Sequence, residues 1–144
     1  MTRDLSARLL EIIEALPLKP GQRVLEIGCG PGAMAREIAR RIGDGHVLAI
    51  DRSETAIRQA VAGSEAEIAS GCLAYRCVAA EDFVLEPGEV PFDLAVAIRV
   101  GALDRRHPEA GRLARARIAK ALVASGQLFI DGGKPLKTVA LDDA

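Results

Sequence analysis

The sequence predicts an α/β fold, a mainly parallel sheet with helices on both faces. Three observations lead there. Short apolar runs suited to buried parallel strands alternate with stretches of helical periodicity along most of the chain. The run Val24 to Ile27 passes directly into a glycine-rich turn and then into a helical pattern carried by Met34, Ile38 and Ile42. Asp51 ends a second apolar run, 23 residues after Gly28, where a strand–turn–helix unit that grips a nucleotide keeps its ribose carboxylate.

The turn holds Gly28, Gly30 and Gly32, with Cys29 and Pro31 between them. Without Cβ atoms the backbone turns sharply and a ligand can come close to it. The helix beyond points unpaired N–H groups and a partial positive charge at such a ligand. Cys29 reads as a small side chain suited to the tight space rather than as a nucleophile. The residues also satisfy the dinucleotide pattern G-x-G-x-x-G/A through Gly28, Gly30 and Ala33. A bare strand-to-helix turn is the plain alternative.

The remaining elements follow in order. Leu5, Leu9, Ile12, Ile13 and Leu16 have helical spacing, and Pro17 and Pro20 stop that helix. Gly43 and Gly45 turn the chain into the second strand, His46 to Ile50. Asp51 can accept from both ribose hydroxyls; a turn or cap role is its alternative, although Ser53 is the better cap for the next helix. That helix starts near Glu54 and shows Ile57, Ala60, Val61 and Ile68 on one face. Leu73 to Val78 reads as a third strand interrupted by Arg76. Cys72 and Cys77 are an odd number apart, so on a strand they face opposite sides. Phe92 to Ile98 is the fourth strand, Glu109 to Ala124 a basic helix, and Gln127 to Ile130 the fifth strand, with Lys137 to Leu141 one more short strand. Right-handed crossovers then give a Rossmann-like order, 3-2-1-4-5. Residues 1–144 read as one domain: 1–20 a helix and linker, 21–131 the core, 132–144 a tail.

Glu26, Gly28, Gly30 and Gly32 together form E-x-G-x-G-x-G, which resembles motif I of the class I S-adenosylmethionine-dependent methyltransferases. The resemblance covers about Val24 to Asp131. It implies that the turn holds the methionine part of S-adenosyl-L-methionine, that Glu26 reaches its amino group, and that Arg52 lies over the adenine. In many relatives an Asp before an Ala receives the adenine amino group. Here that position is Ala79, so the backbone of Ala80, or Glu81 or Asp82, must substitute; a solvated helix start is the alternative for the two acids. Phe92-Asp93 resembles the entrance of motif IV, which places Arg99 beside the transferred methyl as a cofactor or acceptor contact; pairing with a carboxylate is its alternative. The N/D-P-P-Y/F signature of base-modifying members is absent. His107 in the loop Asp104 to Pro108 is a candidate general base, or simply solvated. Complete members add two antiparallel strands, which here are expected to be reduced or missing. The edge left open would be covered by the tail or by a second copy of the chain.

Methyl transfer to an unidentified acceptor, mainly by alignment with the sulfonium, is the expected activity. A nicotinamide-dependent oxidoreductase and a non-catalytic cofactor-binding subunit are the alternatives. Composition is globular rather than disordered: 49% of the 144 residues are apolar and 27% charged. A net charge of −1 and 3% aromatics argue against nucleic acid or an anionic membrane as partner. Three cysteines without metal-ligand spacing point to a reduced, cytoplasmic setting. No signal peptide and no membrane span are expected.

Overall fold

The computed structural model describes residues 5–103 and 106–141. The described residues form five α-helices and six strands, in the order α1 (Ala7–Ala15), β1 (Arg23–Ile27), α2 (Ala33–Arg41), β2 (His46–Asp51), α3 (Glu54–Ala62), α4 (Glu65–Ser70), β3 (Leu73–Cys77), β4 (Phe92–Ala97), α5 (Pro108–Ala121), β5 (Leu122–Asp131) and β6 (Leu136–Val139). A 3₁₀ turn, Ala80–Asp82, follows β3. The six strands form one sheet in the order β3-β2-β1-β4-β5-β6. The first five run parallel and β6 returns antiparallel to β5. This is the expected Rossmann-like order. Among the described residues one antiparallel strand, β6, follows, and it pairs the outer edge of β5.

Alternation along the central strands sorts the core into two layers. Val24, Val47, Ala49, Leu94 and Val96 pack with Ile12 and Ile13 of α1 and Met34 and Ile38 of α2. Leu25, Ile27, Leu48, Ile50, Ala95 and Ala97 face Phe83, Ala114 and Ile118 on the other side. Both faces are therefore covered, which explains why the central strands read as unbroken apolar runs. Capping is local. The Ser6 hydroxyl accepts from Leu9 N–H and the Ser53 hydroxyl from Ala56 N–H.

Three boundaries depart from the sequence reading. The helix expected over Glu109–Ala124 ends at Ala121, and Leu122 already pairs with Phe92 of β4. The register shifts between that pair and Leu94↔Gln127, so the Ser125-Gly126 break is an irregularity inside a ten-residue strand and not its start. The helix beginning at Glu54 is two helices, parted at Gly63 and Ser64. Val61, placed on its buried face by periodicity, is 43% exposed. Asp104 and Arg105 lie outside the described residues.

Gly111 shows how closely α5 approaches the loop after β4. A Cβ there would stand 2.2 Å from the carbonyl oxygen of Ala102, a backbone atom with little freedom to give way. Gly111→Ala therefore destabilises the protein by roughly 1–3 kcal/mol through overpacking, despite alanine's better helix propensity. Urea unfolding checks this.

Candidate functional site

The carboxyl ends of β1, β2 and β4 meet at two adjoining hollows. The first, about 560 Å³, is lined by Gly28, Asp51, Arg52, Ala79, Ala80 and Glu81 on one side and by Arg99, Val100, Arg106 and His107 on the other. The second, about 460 Å³, is lined by Glu26, Gly28, Cys29, Gly30, Met34 and Arg99, and by Ser6, Arg8 and Leu9 at the start of α1. Gly28 and Arg99 belong to both walls. The residues singled out in the sequence thus come together, with two exceptions, Asp82, which lines neither hollow, and Gly32. Gly32 lines neither hollow and caps α2 behind the turn.

The glycine turn is built differently from the expectation that it offers its amides to a ligand. Gly28 N–H and Cys29 N–H both donate to the carbonyl of Ile50, at 2.8 and 3.0 Å. Gly32 N–H donates to Cys29 O at 3.1 Å, and Gly30 N–H donates to Asp51 Oδ2 at 2.9 Å. The Gly28, Cys29 and Gly30 donors are spent on holding the turn to the end of β2, and the Gly32 donor on closing the turn itself. What the glycines supply is backbone shape and clearance. Gly28 has φ 74°, and a Cβ on it would lie 2.7 Å from Val100 Cγ2. Gly32 has φ 93°, and a Cβ there would lie 2.4 Å from the Tyr75 hydroxyl. Free donors lie one step on, where the first-turn N–H groups of α2, from Ala33 and Met34, have no helical acceptor and both residues line the second hollow.

Asp51 is a structural residue as well as a wall residue. Its second oxygen accepts from Ser53 N–H at 2.9 Å. One carboxylate thereby joins the turn after β1 to the start of α3. Each oxygen keeps a further lone pair for a hydroxyl donor.

Glu26 is the unusual group. It lies on β1 facing α2, 3% exposed, and its Oε1 has no hydrogen-bond partner among the described residues. Burial pushes its carboxyl up to about 8, with the Asp51 charge adding to the rise and Arg36 opposing it. Burial likewise pushes the Cys29 thiol up, helped by Glu26 and Asp51, so Cys29 is not poised as a nucleophile.

Behind the turn lies a network that sequence reasoning missed. Arg36 donates to Pro31 O at 3.0 Å and to the Ser64 hydroxyl at 3.1 Å. Ser64, fully buried, sits 2.9 Å from the Tyr75 hydroxyl. This clamp braces Gly32 from outside. The Gly63-Ser64 break between helical patterns was the available signal. His107 lines the first hollow, and its carbonyl starts α5 by accepting from Gly111 N–H.

A family model described as a methyltransferase domain matches residues 24–126. The chain belongs to this methyltransferase domain family. Nocamycin O-methyltransferase of Saccharothrix syringae is 32% identical over 134 residues, which is 92% of this chain and 44% of that protein. The protein-L-isoaspartate O-methyltransferase of Methylorubrum populi is 35% identical over 124 residues, 86% of this chain and 51% of its own. Among solved structures, phosphoethanolamine N-methyltransferase 2 of Haemonchus contortus in complex with S-adenosyl-L-methionine superposes with TM-score 0.68 at 26% identity, covering 85% of this chain and 27% of that one. The chain spans about half the length of the curated relatives it matches.

Two outcomes test this geometry. Ser64→Ala removes the buried hydroxyl on which Arg36 and Tyr75 converge, at a cost of about 1–3 kcal/mol in urea unfolding. The second concerns pH. The native state holds a proton on Glu26 that the unfolded chain gives up near 4.5. Stability contributed by Glu26 is therefore full below that value and falls as pH rises towards about 8. Glu26→Gln removes this fall, so its stability relative to wild type improves by a few kcal/mol between pH 5 and 8. Unfolding curves at several pH values show the difference.

Proposed function

We propose that the two hollows form one binding groove for S-adenosyl-L-methionine, and that the protein transfers its methyl group to an acceptor. The single observation that carries this reading is Glu26: a buried carboxyl oxygen without a partner among the described residues, in the wall of a glycine-lined hollow. A buried polar atom left unmatched marks a place for a ligand group, and a ligand ammonium is its natural complement. The rest of the groove fits the same ligand. Gly28 and Gly30 clear the way past the turn, Cys29 lies beside them, and Gly32 lets α2 begin there. Ala33 and Met34 offer N–H groups to the ligand's carboxylate. Asp51 has lone pairs for the ribose hydroxyls. Arg52, Ala80 and Glu81 surround the base, with the Ala80 backbone serving where Ala79 supplies no carboxylate. Arg99 stands at the seam.

When bound, the cofactor supplies an activated methyl group on a sulfonium. The chain's own task is then alignment: holding the acceptor in line with the methyl at the seam between Gly28 and Arg99. His107, on the wall of the first hollow, is placed to take a proton where the acceptor has one to lose. A reduced, cytoplasmic setting accords with three free cysteines and with no helix among the described residues long and apolar enough to cross a membrane. Since β6 pairs the edge of β5, self-association through a sheet edge would use one of the outer strands, β6 or β3.

Calorimetric titration with S-adenosylhomocysteine and with NADH tests the proposal. The homocysteine derivative binds and NADH does not; tight NADH binding alone would favour the oxidoreductase reading. Asp51→Ala weakens S-adenosylhomocysteine about 10- to 100-fold, the loss expected for hydrogen bonds to a charged acceptor.

A further inference from the structure

Arg99 is the residue other than glycine that adopts a left-handed backbone among the described residues, at φ 59°, a conformation that costs free energy and persists only where neighbours impose it. Here they do. Arg99 N–H donates to Asp131 Oδ1 at 3.1 Å, and its carbonyl accepts from Arg106 Nη2 at 3.4 Å. The other Asp131 oxygen faces Arg8 Nη2 of α1 at 3.4 Å. Three elements, α1, β5 and the loop after β4, thus fix one exposed arginine at the seam of the two hollows. Its guanidinium has no ion-pair partner among the described residues.

We propose that Arg99 recognises the methyl acceptor and that the acceptor carries an anionic group, a carboxylate or a phosphate. This rests on the proposed function. With a sugar at Asp51 and an amino group at Glu26, the sulfonium would lie at the seam that Arg99 borders. A guanidinium beside a sulfonium is a like-charge juxtaposition, which an anion between them relieves. The acids of the groove do not serve that purpose. None of Glu26, Asp51 and Glu81 on the walls of the two hollows forms an ion pair with Arg99: Asp51 already holds the Gly30 and Ser53 N–H groups, and Glu26 is 3% exposed. A planar guanidinium accepts a carboxylate or a phosphate in two parallel hydrogen bonds. Arg52 and His107, on the same hollow, add positive or donor groups for the remainder of an anion. Asp131 acts through Arg99 and is a positioning residue.

The test loads the protein with S-adenosylhomocysteine and titrates the complex by calorimetry with inorganic phosphate and, separately, with benzoate. At least one anion saturates the wild-type complex; which one does so separates a phosphate-bearing from a carboxylate-bearing acceptor. Arg99→Gln weakens that anion at least tenfold, a larger factor than its effect on S-adenosylhomocysteine. Arg99→Lys recovers part of the loss, and Asp131→Ala weakens the anion without touching the guanidinium itself. The proposal is overturned if neither anion binds, if Arg99→Gln binds it as tightly as wild type, or if Arg99→Gln weakens S-adenosylhomocysteine as much as the anion. Absence of S-adenosylhomocysteine binding by the wild type would be a failure of the groove assignment itself, and this proposal would fall with it.

Discussion

The hydrogen bond from Gly30 N–H to the Asp51 carboxylate is the constraint on which the rest of the site depends. It closes a loop between the ends of two adjacent parallel strands, β1 and β2. The bonds from Gly28 and Cys29 to the Ile50 carbonyl reinforce it. Together they pin the turn so that α2 starts in one place and the groove keeps its floor. A carboxylate is suited to this, because it can hold two backbone amides and still accept from a ligand. The glycines are required less as donors than as residues without side chains, at positions where Val100 and Tyr75 already fill the space.

A second constraint is electrostatic. Glu26 is buried in the sheet's α2 face at the cost of desolvation, with Asp51 near enough to raise its proton affinity further. A carboxyl kept in this condition contributes nothing to packing that an apolar side chain would not do better. Its retention at the groove wall is understandable if a cationic group completes it. Ligand binding and local electrostatics are then coupled through one residue.

Much of this was legible in the sequence because it is local. The apolar run into Gly28, the helical spacing of Met34, Ile38 and Ile42, the Ser53 cap and the position of Asp51 all depend on neighbours a few residues away. The errors come from distant partners. Leu122 and Val123 continue a helical pattern, yet pairing with Phe92 draws Leu122 into the sheet. The amides of the turn look free in sequence, since the carbonyl that takes two of them belongs to Ile50 on the next strand. Ser64 resembles a surface cap and is buried because Arg36 and Tyr75 converge on it. Arg99 gave no hint of its left-handed backbone, which follows from Asp131, some thirty residues on.

The central claim is that one extended ligand spans both hollows, with its sugar on Asp51 and its amino group on Glu26. A crystal structure of the S-adenosylhomocysteine complex measures this directly. The ribose hydroxyls should lie within hydrogen-bond distance of Asp51, with the amino nitrogen paired to the Glu26 oxygen that now lacks a partner, directly or through one water. A ligand bound elsewhere, or in the groove with its amino acid end beside Asp51, would contradict the account.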